Sequence, residues 1–246
     1  MEILVVNPNT TASMTEKIRI AASAVASAGT RITAVNPAAG PPSIEGYYDD
    51  ALAVPGVLEE IRRGESRGVA GHVLACFDDT GLDAARTLAR APVVGIGEAA
   101  FHVASLVAGR FSVITTLGRA IPAIEGNLIR YGLATRCGRV RAAEVPVLAL
   151  EEEDGEARRR IEAEIEAAKR EDRAEAIVLG CAGMADLAEA LSKRHALPVI
   201  DGVAAAVTLV ESLVRLNLAT SKLGGYASPI AKSWTGATGR PGGPES

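Results

Sequence analysis

Two cysteines of this chain, Cys76 and Cys181, occur in the same local setting. Each follows a short apolar run with the pattern of a β-strand and precedes a turn of small or polar residues that opens a helix. Free backbone N–H groups and the positive end of a helix dipole lower the pKa of a cysteine at such a position. We therefore expect part of each thiol to ionise near neutral pH. Either cysteine by itself is equally well explained as a small buried hydrophobic residue.

Two such thiols can serve a reaction that needs a base on one face of a carbon and an acid on the other. Racemisation next to a carbonyl is that reaction, because one thiolate removes the proton and the opposite thiol returns a proton to the other face. The enolate oxygen formed in between needs fixed donors, and the backbone N–H groups of Phe77 and of Ala182 or Gly183 are placed to supply them. The reaction requires no cofactor in principle.

Other polar residues fall at the same predicted sheet edge. Asn9, Thr115 and Thr116 offer side-chain donors and acceptors for a substrate, although Asn9 and Thr116 would also suit helix caps. Asp78 and Asp79 are placed to orient a thiol or a ring N–H, or simply to complement a helix dipole. We interpret the third cysteine and the three histidines as structural, and their spacing predicts no metal site: Cys137, His72, His102 and His195.

Short β-branched runs alternate with Ala-rich amphipathic segments along the chain, which is typical of βα units with a parallel sheet. The predicted strands are Ile3 to Val6, Arg31 to Val35, Val69 to Ala75, Val93 to Ile96, Phe111 to Thr115, Arg139 to Val145, Ala176 to Leu179 and Val199 to Ile200. Predicted helices begin near Thr11, Val54, Thr80, Gly97, Gly118, Glu153, Gly183 and Gly202.

Equivalent strand ends recur in the two halves of the chain at a nearly constant offset, which indicates an internal duplication. The matching pairs are Thr10 with Thr115, Cys76 with Cys181, and Pro92 with Pro198. We predict an α/β protein of two lobes related by a pseudo-twofold axis, each a parallel sheet flanked by helices. Because ligands bind beyond the carboxyl ends of parallel strands, the active site should lie in the cleft between the lobes.

The predicted domain boundaries follow from the repeat. Residues 1–105 together with 208–225 form the first lobe, and residues 106–207 form the second. The segment from Leu209 to Leu218 is expected to be helical and to return to the first lobe. Residues 226–246 form a C-terminal tail, and the Gly, Pro, Ser and Thr content of its last ten or so residues predicts disorder.

Composition excludes several classes of function. The net charge of −4 and the 3% aromatic content argue against nucleic-acid binding. No apolar run approaches the roughly 20 residues that cross a bilayer, and the N-terminus lacks the pattern of a signal peptide. An odd number of cysteines without an export signal predicts reduced thiols and a cytoplasmic location.

Six motifs of the chain resemble those of the hydantoin racemases in the aspartate/glutamate racemase superfamily, and they run in the family's order. They are Asn7-Pro8-Asn9-Thr10, Ser43-Ile44-Glu45-Gly46, Ala75-Cys76-Phe77-Asp78-Asp79, Val113-Ile114-Thr115-Thr116, Leu179-Gly180-Cys181-Ala182-Gly183-Met184 and Pro198-Val199-Ile200-Asp201-Gly202. One departure is Thr80, where the family often has proline; it is expected to alter the pocket wall only slightly.

The resemblance implies two α/β lobes, an acid/base pair formed by Cys76 and Cys181, no cofactor and a homo-oligomer. It also implies contacts to the substrate ring from Asn9, Ile44, Phe77, Thr115 and Thr116. The predicted substrate is a small cyclic amide, a 5-substituted hydantoin. Allantoin racemase, a free aspartate or glutamate racemase and a non-catalytic two-lobed binding protein remain as alternatives.

Overall fold

The computed structural model describes residues 1–151 and 155–232. Its two four-stranded sheets are parallel throughout, with strand orders β2-β1-β3-β4 and β6-β5-β7-β8. The strands are β1 (Glu2–Val6), β2 (Arg31–Val35), β3 (Gly71–Leu74), β4 (Val93–Gly95), β5 (Phe111–Thr115), β6 (Cys137–Ala142), β7 (Ala176–Gly180) and β8 (Val199–Ile200). The helices are α1 (Ala12–Val25), α2 (Tyr47–Arg67), α3 (Leu82–Leu88), α4 (Ile96–Val107), α5 (Ile121–Arg130), α6 (Glu156–Ala167), α7 (Ala188–His195) and α8 (Gly202–Arg215).

The predicted fold class is confirmed. Each strand of the first sheet has a counterpart in the same position of the second, four strands later in the chain. Strand β3 leads to Cys76 and pairs with β1, the first strand of its sheet in chain order. Strand β7 leads to Cys181 and pairs in the same way with β5. The two cysteines therefore follow strands in equivalent positions. This equivalence is what a duplicated α/β unit produces.

Several predicted boundaries differ from those observed, each for a local reason. Helix α2 begins at Tyr47 and not near Val54. The prediction placed the start near Pro55 because proline favours the first turn of a helix, but here Pro55 lies inside the helix. Strand β6 begins at Cys137 and pairs with β5 through an irregular register. The helix predicted near Gly183 is a 3-10 helix (Ala182–Leu187), and α7 follows it. The helix start predicted near Glu153 lies outside the described residues.

One apolar core joins the two sheets through two helices. Residues of both sheets, such as Val73 and Val178, belong to the same buried cluster as Phe101 of α4 and Val207 of α8. Helix α8 contacts α1, β3 and β4, as expected for a segment that returns to the first half, and it also contacts β7. The predicted boundary between residues 207 and 208 falls inside this helix, and the division into lobes stays a prediction.

The described ranges contain no helix that is both long and apolar enough to cross a bilayer. The predicted disordered end of the tail cannot be compared with the structure, since residues 233–246 lie outside the described part.

Candidate active site

Cys76 and Cys181 line the same cavity, which has a volume of about 40 Å³. It lies where the carboxyl ends of the two sheets face one another. Cys76 follows β3 and Cys181 follows β7, while Asn9 follows β1 and Thr115 ends β5. In each sheet, one of the two central strands therefore leads to a polar residue and the other leads to a cysteine, and all four residues line the same cavity.

The structure brings together nine of the ten residues that the sequence predicts for the site. The nine that line the cavity are Asn9, Ile44, Cys76, Phe77, Asp78, Thr115, Thr116, Cys181 and Ala182. Gly183 is the exception, because its backbone N–H donates a hydrogen bond to the Cys181 thiol. Gly183 therefore supports a thiol and does not line the space where a substrate would bind.

The two thiols have equivalent hydrogen-bond donors. The backbone N–H of Asp78 donates to Cys76, and the backbone N–H of Gly183 donates to Cys181. Each donor lies two residues after its cysteine. Because an N–H group stabilises a thiolate more than a thiol, both contacts favour ionisation, and the duplication extends from the strands to the chemistry of the site.

The expected lowering of the thiol pKa values is wrong for this structure. The pKa of Cys181 is raised to about 11 and that of Cys76 well above the ordinary value, chiefly by burial and in part by the nearby Asp78 carboxylate. The helix dipoles are weak here, since α3 begins only at Leu82 and Cys181 is followed by a short 3-10 helix. Both thiols are therefore protonated in the unliganded protein at neutral pH.

Among the described residues that line the thiol cavity, Asp78 is the one with an acidic or basic side chain. Burial, together with the negative charge of Asp50 on α2, raises the pKa of Asp78 to about 7. Asp78 also lines a second cavity of about 330 Å³, whose wall includes Asp50 and Thr80. Thr80, the departure from the family motif, lines the larger cavity, and its side chain also hydrogen-bonds with the Cys76 thiol and lowers the pKa of that thiol.

Replacing Asp78 by asparagine is expected to lower the pKa of both thiols, because the variant keeps the backbone N–H but removes a negative charge that acts on each of them. Alkylation by iodoacetamide at pH 8, followed for each cysteine by mass spectrometry, should become about three- to tenfold faster at Cys76 and at Cys181.

Asp83→Asn is the matched control, since Asp83 is exposed and pairs with Arg130 at 3.2 Å. It should leave both alkylation rates unchanged. Slower alkylation or no change in Asp78→Asn would contradict the electrostatic role of Asp78.

The turn after β1 combines a structural role with a place in the cavity. The Asn9 side-chain oxygen accepts hydrogen bonds from the Thr11 backbone N–H and from Asn7 Nδ2, both at 2.9 Å. Asn7 Nδ2 also donates to Thr15 of α1 at 3.0 Å. Asn9 therefore fixes the turn that leads into α1 and still lines the cavity, but it does not cap the helix: the N-cap residue is Thr11, and its side chain makes no capping hydrogen bond.

Thr115 and Phe77 also have structural partners. The Thr115 hydroxyl donates to the backbone carbonyl of Gly180 at 3.2 Å, which fixes the end of β7 directly before Cys181. The ring of Phe77 packs edge-on against Phe101, with ring centroids 5.3 Å apart. Both residues hold a cysteine turn in place in addition to lining the cavity.

Sequence reasoning missed residues that come to the site from distant elements. Val147, which follows β6, lines the cavity, and its backbone N–H donates to Glu45 at 3.0 Å. Lys17 of α1 lowers the pKa of Cys181. Lys17 follows Met14, which lines the cavity, by one helical turn, and this spacing was the available signal. The position of Val147 has no such signal.

The residues interpreted as structural have structural surroundings. His72 is buried in β3 and lies 2.8 Å from Glu65, and His195 lies 2.5 Å from Glu166. Burial raises the pKa of Cys137 to about 12. Among the described residues, no three His, Cys, Asp or Glu side chains are grouped so as to hold a metal ion.

Comparison with protein families matches residues 3–210 to the model described as "Asp/Glu/Hydantoin racemase". The chain belongs to the Asp/Glu/hydantoin racemase family. A hydantoin racemase of Rhizobium meliloti is 52% identical over 96% of this chain and 98% of that protein. A hydantoin racemase of Paenarthrobacter aurescens is 41% identical over 95% of this chain and its own full length. Family membership confirms the predicted enzyme class, a racemase and hence an isomerase.

Solved structures extend the comparison to the three-dimensional fold. Allantoin racemase from Klebsiella pneumoniae is 52% identical, covers 96% of each chain and superposes with a TM-score of 0.94. Aspartate racemase from Picrophilus torridus is 15% identical, with a TM-score of 0.63 over 87% of this chain, and shows a shared fold.

Proposed function

We propose that this protein interconverts the enantiomers of 5-substituted hydantoins by proton transfer between Cys76 and Cys181, without a cofactor. The observation that carries the proposal is the shared cavity at the facing ends of the two sheets. It has a thiol from each sheet, and no Lys, Arg or His is among the described residues that line it. A neutral ring suits such a cavity, because a neutral substrate needs no cationic side chain to pair with it.

The proposed reaction moves one proton at each face of ring carbon 5. A thiolate takes the proton, the carbon–hydrogen bond breaks, and its electron pair passes to the adjacent carbonyl oxygen as an enolate. The opposite thiol then donates its proton to the other face of the carbon and becomes the thiolate. The Phe77 and Ala182 backbone N–H groups, one residue after each cysteine, are the proposed donors to the enolate oxygen.

The proposed substrate contacts follow from the cavity wall. Asp78 would accept a hydrogen bond from a ring N–H, and Asn9 and Thr116 would bind the remaining polar edge of the ring, with Ile44 against its apolar face. Gly183 is left out of this set because its N–H is directed to Cys181. A free amino acid is a poorer fit, since its carboxylate would face Asp78 in a cavity whose described lining residues include no Lys, Arg or His.

Allantoin is the second candidate substrate, because an allantoin racemase and a hydantoin racemase are both 52% identical to this chain. Allantoin is itself a hydantoin with a ureido group on ring carbon 5, so both substrates present the same carbon to the thiols. The preference between the two substrates therefore depends only on the part of the site that binds the substituent on carbon 5.

The function is tested by polarimetry of single-enantiomer 5-substituted hydantoins and of allantoin in heavy water. Loss of rotation with deuterium at carbon 5 supports the proposal. Unchanged rotation with every hydantoin, with allantoin and with free aspartate and glutamate would contradict it and favour the non-catalytic binding protein.

The rate of racemisation is expected to rise with pH from about 7 to 9. The base is a thiolate, and since burial raises the pKa of Cys181 to about 11, its ionised fraction grows throughout this range. Values of kcat/KM are obtained from initial rates after subtraction of the background rate measured with the Cys76→Ala/Cys181→Ala double variant, because hydroxide alone racemises hydantoins. A flat profile between pH 7 and 9 would contradict thiolate catalysis.

Assembly and location stay predictions. We propose a homo-oligomer in the cytoplasm, with a small molecule as its ligand and no nucleic-acid or membrane partner. Light scattering during gel filtration measures the subunit number directly.

A further inference from the structure

Asp79, next to the cavity residue Asp78, does not line the thiol cavity. Its carboxylate accepts hydrogen bonds from the backbone N–H groups of Gly97 at 3.0 Å and Glu98 at 2.8 Å, both in the first turn of α4. It accepts a third from the Tyr131 hydroxyl at 2.7 Å. Asp79 is 5% exposed, at the wall of the second cavity, so these three donors replace most of the water that a surface carboxylate would bind.

Asp79 is tied directly to the backbone of Cys76. Its N–H donates to the Cys76 carbonyl at 3.0 Å, and its own carbonyl accepts from Leu82 at 3.0 Å, at the start of α3. Asp79 has a φ of 54°, a left-handed conformation that aspartate and asparagine tolerate better than most residues. The side-chain contacts of Asp79 therefore fix the turn that carries Cys76.

The contacts of this turn join the two halves of the molecule. Tyr131 follows α5, the helix that connects β5 to β6 of the second sheet along the chain. Asp79, in contrast, follows β3 of the first sheet. Asn127 of α5 adds a hydrogen bond of 2.8 Å from its side-chain nitrogen to the Asp78 carbonyl. The Cys76 turn is thus held by the half of the protein that carries Cys181.

The carboxylate of Asp79 packs closely against two glycines, Gly95 and Gly97. A methyl group added at Gly95 would lie 2.1 Å from Asp79 Oδ1, and one added at Gly97 would lie 2.9 Å from Oδ2. Burial raises the pKa of Asp79 to about 7, while its three hydrogen bonds favour the carboxylate. A solvent-excluded carboxylate with three fixed donors is costly to bury and holds its position tightly.

We propose that Asp79 is a positioning residue that, through α4 and Tyr131, fixes the Cys76 thiol relative to Cys181 across the substrate. The inference rests on the proposed function, because a two-base reaction needs both sulfurs at set places on opposite faces of one carbon. Asp79 has no contact with the thiol cavity and acts only through the turn that it holds.

The test compares Asp79→Asn, Tyr131→Phe and the control Asp83→Asn. Asp83 also bridges α3 and α5, through Arg130, but at the surface. In Asp79→Asn, kcat should fall about tenfold or more while KM changes less than about threefold. The pH profile of Cys76 alkylation should move to lower pH, because a loosened turn exposes this thiol, and that of Cys181 should stay unchanged. Tyr131→Phe should change the same quantities less, and Asp83→Asn should change none.

Equal shifts of both thiols, or wild-type kcat and wild-type Cys76 alkylation in Asp79→Asn, would overturn the proposal. If Asp79→Asn does not fold, Tyr131→Phe decides by the same criteria. The alkylation comparison needs no turnover, so a wild type that racemises no hydantoin would refute the proposed function and leave this measurement to decide the role of Asp79.

Discussion

Replacing either Cys76 or Cys181 by alanine is expected to lower the rate of racemisation by about 10³-fold or more. Each variant loses either the acid or the base of a reaction that needs both, and a positioned proton-transfer group contributes roughly 10²- to 10⁴-fold. The measurement is polarimetry of both enantiomers of a 5-substituted hydantoin. Cys137→Ala is the matched control, since Cys137 begins β6 and does not line the cavity, and it should keep the wild-type rate.

The two single variants should nevertheless differ from each other in proton exchange. The remaining thiol can remove and return a proton on its own face, so each variant should exchange deuterium into one enantiomer without inverting it. The enantiomer should be opposite in the two variants. Exchange of the same enantiomer by both, or residual racemisation near the wild-type rate in either, would contradict the two-base mechanism.

The second large effect is expected from Gly97→Ala. The added methyl group would lie 2.4 Å from the Phe77 carbonyl oxygen, which belongs to the backbone of the Cys76 turn and cannot rotate away. The turn must therefore move, and the thiol moves with it. We expect kcat/KM to fall about 10²-fold and the free energy of unfolding to fall by about 1–3 kcal/mol.

Gly126→Ala is the control for this substitution. Gly126 lies in α5, and a methyl group there meets nothing within 4 Å. It should leave kcat/KM unchanged and stabilise the helix by about 0.5–1 kcal/mol, since alanine is the better helix former. Urea unfolding and initial-rate polarimetry measure both quantities. A Gly97→Ala variant with wild-type activity would show that the Cys76 turn tolerates displacement.

The parts of the fold that follow local patterns could be predicted closely. Strands β2, β5 and β8 have the predicted bounds, because short β-branched runs between turn residues have few alternative conformations. In α6, Ile161 and Ile165 are buried on one face, as their helical spacing predicts. Boundaries at Pro55 and after Cys181 were less predictable, because local sequence does not distinguish a proline inside a helix from one at its start, or a 3-10 helix from the first turn of an α-helix.

The candidate site divides in the same way. Eight of the nine predicted residues that line the cavity end or closely follow a strand, and the carboxyl ends of parallel strands must meet at one edge of each sheet. The ninth, Ile44, lies in the loop before α2 and was predicted only through the family resemblance. Val147 and Lys17 could not be assigned in this manner, since their positions depend on how a loop and a helix pack over that edge.

The sequence by itself determined the duplication of the strand and helix units and the placement of one cysteine after an equivalent strand of each half. Only the tertiary structure decided the roles of the neighbours Asp78 and Asp79, of which one faces the thiols and the other binds α4 and Tyr131. It also decided the high pKa values of the thiols, which local sequence predicted in the opposite direction. The physical reason is that desolvation and charge act through space, from groups that are distant in sequence and that no local pattern identifies.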